Sequence, residues 1–265
     1  MTPTLQLTSV HLRVRELARS LDFYTRQLGF VVVTADTTTA TLASSPGGPP
    51  LLQLTAAPSA PVAPADAAGL FHAALLFPDR PALGRWLRRA ADLGVAFDGF
   101  SDHGVSEAIY FNDPDGNGLE FYSDRPRDQW PRSDGGNIAM FTRPLDLPGL
   151  LAAAAAASVP ADTLPLAGAR WGHLHLRVTE LDHAQEFYSR TLGMHLIGSF
   201  GDSARFLAAD GYHHHLGLNT WTRSRRAQPA GALGLASATF AVRGNGAPRI
   251  LHDPDGIALR LTDWL

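Results

Sequence analysis

The chain has 265 residues, of which 45% are hydrophobic and 18% charged, a composition that suits one large or two small globular domains. Its net charge of −3 excludes a general attraction to nucleic-acid phosphates, and the lack of cysteine excludes disulfides and thiolate metal ligands. No apolar run reaches membrane length, and no secretory signal precedes the first predicted strand. We therefore expect a cytoplasmic protein with neither nucleic-acid nor membrane partners.

The first predicted elements are a strand and an amphipathic helix, and both recur later in the chain. The segment HLRVRELARSLDFYTRQLGF at 11–30 returns as HLRVTELDHAQEFYSRTLGM at 175–194. Each copy predicts a strand followed by a helix that ends at a glycine, Gly29 or Gly193. Repetition of this kind indicates that each copy belongs to one repeated structural unit.

A second repeat follows each copy of the first. The segment YFNDPDGNGLEFY at 110–122 returns as ILHDPDGIALRLT at 250–262, and each predicts a strand, a tight turn and another strand. Combined, the repeats predict four βαβββ modules, at about 5–57, 69–124, 169–221 and 233–265. The second module has its helix at about 79–94, whereas the fourth has lost it.

This organisation predicts an α+β protein with two domains joined by a long connection. The domains are expected at 1–128 and 169–265, with a linker at 129–168 that includes a short helix at 150–158. Connections of this length are unusual in a compact protein. The linker would give the third module the reach to pair with the second.

Three strand positions predict a metal site. His72 begins the first strand of the second module, and Glu120 lies on its last strand between Leu119 and Phe121, pointing away from the core. The equivalent first-strand histidines, His11 and His175, face away from the leucine and valine side chains of their strands. Two imidazoles and one carboxylate form a facial triad, whose natural occupant is Fe(II), with Mn(II) as the alternative.

The run GYHHHLGLNTW at 211–221 places three histidines on a predicted strand. Alternation sends His213 and His215 to its polar face, and sends His214 to the leucine face.

Three stretches resemble the vicinal oxygen chelate superfamily, which includes glyoxalase I, fosfomycin-resistance enzymes and extradiol dioxygenases. They are DHGVSEAIYFNDPDGNGLEFYSDRPRDQW, WGHLHLRV and GYHHHLGLNTW. The resemblance covers nearly the whole chain and is strongest to proteins like catechol 2,3-dioxygenase. It implies that the modules, the last one truncated, pair into cupped, barrel-like mixed sheets around a metal.

The resemblance also implies one metal site per chain, formed by one module's histidine and its partner's histidine and glutamate. The fourth module cannot supply such a pair, because Arg260 replaces the glutamate. His72 and Glu120 are therefore joined by either His175 or His11. We favour His175, since the histidine-rich third module would otherwise face the degenerate fourth one.

The activity implied by the resemblance is extradiol cleavage of a catechol-type aromatic diol by O₂ at non-haem Fe(II). Tyr110 stands ten positions before Glu120, as a tyrosine does in these enzymes, and His215 and His213 are expected to handle protons. His103 is a weaker candidate. The alternatives are a glyoxalase-type isomerase or transferase on the same fold and a non-catalytic small-molecule binder. The sequence leaves the oligomeric state open, a homo-oligomer included.

Overall fold

Sixteen strands and four α-helices make up the described part of the computed structural model, which comprises residues 4–160, 162–223 and 226–264. The strands are β1 (Leu5–Val14), β2 (Val31–Ala35), β3 (Thr39–Ala43), β4 (Leu52–Ala56), β5 (Gly69–Phe77), β6 (Gly99–Asp102), β7 (Ser106–Asn112), β8 (Gly118–Asp124), β9 (Arg143–Pro144), β10 (Arg170–Arg177), β11 (His195–Phe200), β12 (Ala204–Ala208), β13 (Leu216–Asn219), β14 (Gly234–Val242), β15 (Arg249–His252) and β16 (Ala258–Asp263). The helices are α1 (Leu17–Asp22), continued by a π-helical segment (Phe23–Leu28), α2 (Arg80–Asp92), α3 (Leu147–Ala156) and α4 (Leu181–Leu192), with a 3₁₀ turn at Arg127–Gln129.

The strands form two mixed sheets, and each sheet combines both halves of the chain. One has the order β15-β16-β14-β1-β4-β3-β2, and the other has the order β11-β12-β13-β10-β5-β8-β7-β6-β9. At the centre of each, strands from different halves pair antiparallel: β1 with β14, and β5 with β10. The second module therefore pairs with the third, as predicted, and the first pairs with the fourth. The predicted α+β class with cupped mixed sheets is confirmed, whereas the domain boundaries stay a prediction.

Two local predictions also hold. The first and third modules each end their helix at a left-handed glycine, Gly29 with φ 98° and Gly193 with φ 66°, a conformation in which a side chain would be strained. The fourth module has no helix between β14 and β15, within the described residues.

Each Asp-Pro-Asp-Gly turn is tied to the helix of the preceding module. The Tyr24 hydroxyl donates to the Asp113 carboxylate, and the Tyr188 hydroxyl donates to Asp253, at 2.9 and 2.8 Å respectively. All four residues are buried. Both copies of the repeat thus make the same tertiary hydrogen bond, which holds consecutive modules together although their strands lie in different sheets.

The linker crosses from one sheet edge to the next module. It contributes β9, which extends the second sheet beside β6, and α3, which packs on α2 close to Gly84. The predicted linker helix is therefore confirmed. No helix among the residues that the structure describes is long and apolar enough to span a membrane.

Candidate metal centre

The centre lies on the concave face of the second sheet, where three neighbouring strands bring three positions side by side. In the strand register, Ala74 of β5 pairs with His173 of β10 on one side and with Glu120 of β8 on the other. Paired residues point to the same face of a sheet, so His173 and Glu120 flank the small Ala74 side chain. His72 lies two residues before Ala74 and points to the same face.

These three side chains converge above the Ala74 methyl group. Nε2 of His72 lies 2.9 Å from Oε2 of Glu120, and Nε2 of His173 lies 3.3 Å from the same oxygen. One ligand atom from each lies within 4.8 Å of the other two, and all three residues are buried. An alanine at the middle position leaves the space that the converging imidazoles and carboxylate need.

The electrostatics of Glu120 and His173 favour the protonation states in which these two side chains act as ligands. Burial tends to raise the pKa of Glu120, but His173 and His72 outweigh it and hold that pKa well below its usual value. Burial lowers the pKa of His173 in spite of the nearby carboxylate. An ionised carboxylate and a neutral imidazole are the forms in which these two side chains bind a divalent metal.

A cavity of about 550 Å³ is lined by His72 and Glu120, whereas the buried His173 is not part of its lining. Its walls are largely aromatic and apolar, and the linker supplies one of them. The apolar wall residues include Phe71, Ile138, Met140, Phe141, Phe206 and Trp221, and the polar ones include His103, Tyr110, His175 and His214. A concave apolar space with a few converging polar groups is typical of a small-molecule site.

Tyr110 lies in the cavity wall beside Glu120, to which it is paired across the β7–β8 hairpin. Its hydroxyl oxygen is 2.8 Å from Nε2 of His103, and Nδ1 of His103 is 2.9 Å from the Phe141 carbonyl oxygen. That carbonyl can only accept, so Nδ1 of His103 carries a hydrogen and, in the neutral ring, Nε2 accepts from Tyr110. Burial and Glu120 raise the pKa of Tyr110 well above its usual value, which keeps the phenol protonated.

The structure places His173, rather than the expected His175, with His72 and Glu120. His175 pairs directly with His72 and lies two residues further along β10, with its ring over Gly217 and against Trp221. It lines the cavity, where its buried Nε2 atom has no hydrogen-bond partner within the described part of the chain. The other expected candidate, His11, lies in the other sheet with Nε2 2.9 Å from the Thr55 hydroxyl.

The histidine run differs from its predicted orientation. Strand β13 begins only at Leu216, so the three histidines precede it and do not alternate. His214 lines the cavity, whereas His215 accepts a hydrogen bond from the Ala209 N–H and packs on Tyr212. His213 is fully buried behind His214. The predicted positions of His213 and His215 on the cavity face are therefore wrong, and the roles given to them stay untested.

Sequence reasoning did not single out His173 or His214. Alternation puts His173 and His175 on the same face of β10, and only the register with β5 distinguishes them. The residue before His173 is Gly172, at which a Cβ would lie 1.8 Å from the Tyr122 hydroxyl oxygen. The chain is thus unusually closely packed at this end of β10.

The fold and this site can be compared with known proteins. The family model of the Glyoxalase/Bleomycin resistance protein/Dioxygenase superfamily matches residues 6–121 and 170–247. The chain belongs to this superfamily. The family resemblance inferred from the sequence is thereby confirmed.

Individual relatives agree with the family. The chain is similar to a catechol-2,3-dioxygenase of Bacillus subtilis (strain 168), with 43% identity over 244 residues that cover 86% of this chain and 83% of the relative. Among solved structures, a putative dioxygenase from B. subtilis has a TM-score of 0.63 at 12% identity and covers 98% of this chain and 86% of its own. Glyoxalase I from Zea mays has a TM-score of 0.56 at 17% identity, with 98% and 92% covered. At such identities the solved structures establish the fold alone.

The dioxygenase relative implies a metal, and the residues present fit one. His72, Glu120 and His173 supply two imidazole nitrogens and one carboxylate oxygen, the donor set typical of non-haem Fe(II) sites. Nδ1 of His173 is buried and has no hydrogen-bond partner among the described residues. The His173 imidazole is thus free of any competing hydrogen-bonding role.

Proposed function

We propose that this protein is a non-haem Fe(II)-dependent extradiol dioxygenase that opens catechol-type aromatic rings. The observation that carries the proposal is the convergence of His72, Glu120 and His173 beside an aromatic-walled cavity that His72 and Glu120 line. The similarity to a catechol-2,3-dioxygenase supports the same reaction class. When bound, Fe(II) would coordinate the diol and O₂ together and transfer electrons between them.

The apolar cavity walls would select and orient the substrate. Phe71 and Trp221 pack edge to face with ring centroids 5.3 Å apart, and Phe206 lies across from them beside His214. Aromatic walls of this kind favour a flat ring and exclude water from the reacting atoms. Holding the diol over the metal ligands supplies the proximity and orientation that the reaction requires.

Two polar groups on the walls would handle the protons of the diol. Tyr110 donates its hydrogen to His103, so its oxygen has lone pairs left to accept from a substrate hydroxyl. His214 offers an imidazole on the same cavity, and its neighbours hold its pKa well below the usual value, first through burial and then through His173 and His213. The neutral imidazole keeps a lone pair that can accept the second hydroxyl proton, although the lowered pKa makes it a weaker base.

The test is to load the purified protein with Fe(II) under anaerobic conditions and then add catechol and O₂. We expect uptake of one O₂ per catechol and a yellow ring-opened semialdehyde. Mn(II)-loaded protein, measured in parallel, identifies the metal that supports turnover.

The control is Glu120→Gln, which keeps the size of the side chain but removes the negative charge of the ligand set. We expect this variant to fold and to lose most of its iron and its activity. Iron retention with full turnover in the variant would contradict the assigned ligand, and hydrogen peroxide with quinone as the products would contradict ring cleavage.

A further inference from the structure

A chain of hydrogen bonds lies behind the cavity wall and ends at His214. An Asp124 carboxylate oxygen is 2.8 Å from Nε2 of His213, and Nδ1 of His213 is 2.8 Å from Nδ1 of His214. The His213 side chain is completely buried, while that of Asp124 is 23% exposed at the far end. Neither Asp124 nor His213 lines the cavity.

The direction of each hydrogen bond follows from the acceptor at the start of the chain. An ionised carboxylate only accepts, so Nε2 of His213 carries a hydrogen, and Nδ1 is an acceptor when the ring holds that one hydrogen. Nδ1 of His214 must then be the donor of the next bond. A neutral imidazole has one hydrogen, so Nε2 of His214 has a free lone pair.

We propose that Asp124 and His213 are positioning residues that hold His214 in the tautomer whose Nε2 lone pair faces the cavity. The tautomer of a histidine is set by the hydrogen bond that its other nitrogen makes. Nδ1 of His214 is occupied by His213 and its ring lines the cavity, so Nε2 is the nitrogen available to a ligand. The consequence for turnover rests on the proposed function, whereas the tautomer does not.

Aromatic rings pack against both imidazoles of the hydrogen-bond chain and oppose their turning over. The Tyr212 ring lies 4.0 Å from that of His213 between centroids, and Trp130 lies 5.3 Å away on another side. The His214 ring lies 4.0 Å from that of His173. Rings held by contacts on several sides keep the nitrogen positions on which the hydrogen-bond directions depend.

The direct test is NMR of histidine side-chain nitrogens in protein labelled with ¹⁵N-histidine, both metal-free and loaded with diamagnetic Zn²⁺. His214 is assigned by the signal lost in His214→Gln. We expect a protonated Nδ1 and an unprotonated Nε2 on His214 in the wild type. A protonated Nε2 with an unprotonated Nδ1 would overturn the proposal.

Two variants break the hydrogen-bond chain and keep His214. Asp124→Leu loses the acceptor, and His213→Phe keeps a ring of similar size without nitrogens; we expect the tautomers of His214 to mix in both. Asp128→Asn removes one negative charge from an exposed position four residues beyond Asp124, and should leave the tautomer unchanged. An unaltered tautomer in both chain variants would overturn the proposal.

Kinetics with Fe(II) and catechol give the second readout. In His213→Phe we expect kcat to fall about 10- to 100-fold with KM changed less than about threefold, since orientation is lost but the proton acceptor, itself worth roughly 10²–10⁴, remains. An unchanged kcat would overturn the catalytic consequence. A protein with the expected tautomer that cleaves no catechol would refute the proposed function while supporting the positioning of His214.

Discussion

Replacing His173 with glutamine should abolish most metal-dependent stability, whereas replacing His175 with glutamine should preserve it. His173 reaches the Glu120 carboxylate at 3.3 Å, and His175 pairs instead with His72 and faces Trp221. Both histidines are buried on the same face of β10, 1% and 4% exposed. They therefore form a matched pair, in which the two variants differ chiefly in access to the ligand group.

The size of the effect follows from linkage. A metal present at 1,000 times its Kd stabilises the folded protein by about 4.1 kcal/mol. Mutating a residue that hydrogen-bonds to a metal ligand already weakens metal binding by about 10- to 100-fold. If the loss of one of the three protein ligands weakens binding by about 100-fold, the stabilisation by the metal falls to about 1.4 kcal/mol. The difference of about 2.7 kcal/mol corresponds to roughly 5–10 °C in Tm for a chain of this size.

Metal-free His173→Gln should also lose some stability of its own. The His173 ring packs against His214 and Tyr122 with centroids 4.0 and 4.9 Å apart, and aromatic pairs contribute about 0.5–1.5 kcal/mol each beyond their buried area. Comparing each variant with and without metal removes this term from the result.

The assay is thermal unfolding of both variants and the wild type, metal-free and with Fe(II) added anaerobically, together with the iron content after desalting. We expect the metal-induced rise in Tm to shrink in His173→Gln and to stay within about 1 °C of the wild type in His175→Gln. The opposite pattern, in which only the His175 variant loses its metal-induced rise, would refute the ligand assignment from the strand register.

Three further perturbations have distinct expected outcomes. Ala74→Leu should place a larger side chain beneath the ligand group, cost about 1–3 kcal/mol by overpacking and weaken Fe(II) binding, as measured by urea unfolding and iron content; unchanged iron content would contradict the role of the small residue. Gly118→Ala should destabilise the protein by a similar amount, because its Cβ would lie 2.1 Å from the Phe71 carbonyl oxygen, which belongs to the backbone; wild-type urea stability would count against this close approach. Burial lowers the pKa of His11 from 6.5 to about 4. The unfolded chain therefore binds more protons than the folded protein between these pH values, and the folded protein loses stability as pH falls through that window. His11→Asn should flatten the dependence of Tm on pH from 6.5 to 4, and an unaltered slope would argue against it.

The sequence determined much of the local structure. Repetition identified the modules, and glycines at the ends of two helices adopt the left-handed conformation expected of them. Tyr110 and Glu120 are separated by a short turn, so local hairpin pairing alone places them side by side. These features depend on residues near each other in the chain, whose geometry is restricted by backbone stereochemistry and turn chemistry.

Only the tertiary structure decided which histidines meet. Alternation fixes the face of a strand on which a side chain lies, but its height along that face depends on the register with a strand about one hundred residues away. That register, with irregularities on both sides of the pair His173 and His175, sets His173 beside Ala74 and Glu120. The histidine run escaped prediction for a related reason: a bend before β13 removes the alternation, and His214 rather than His215 faces the cavity because of the contacts that the folded chain provides.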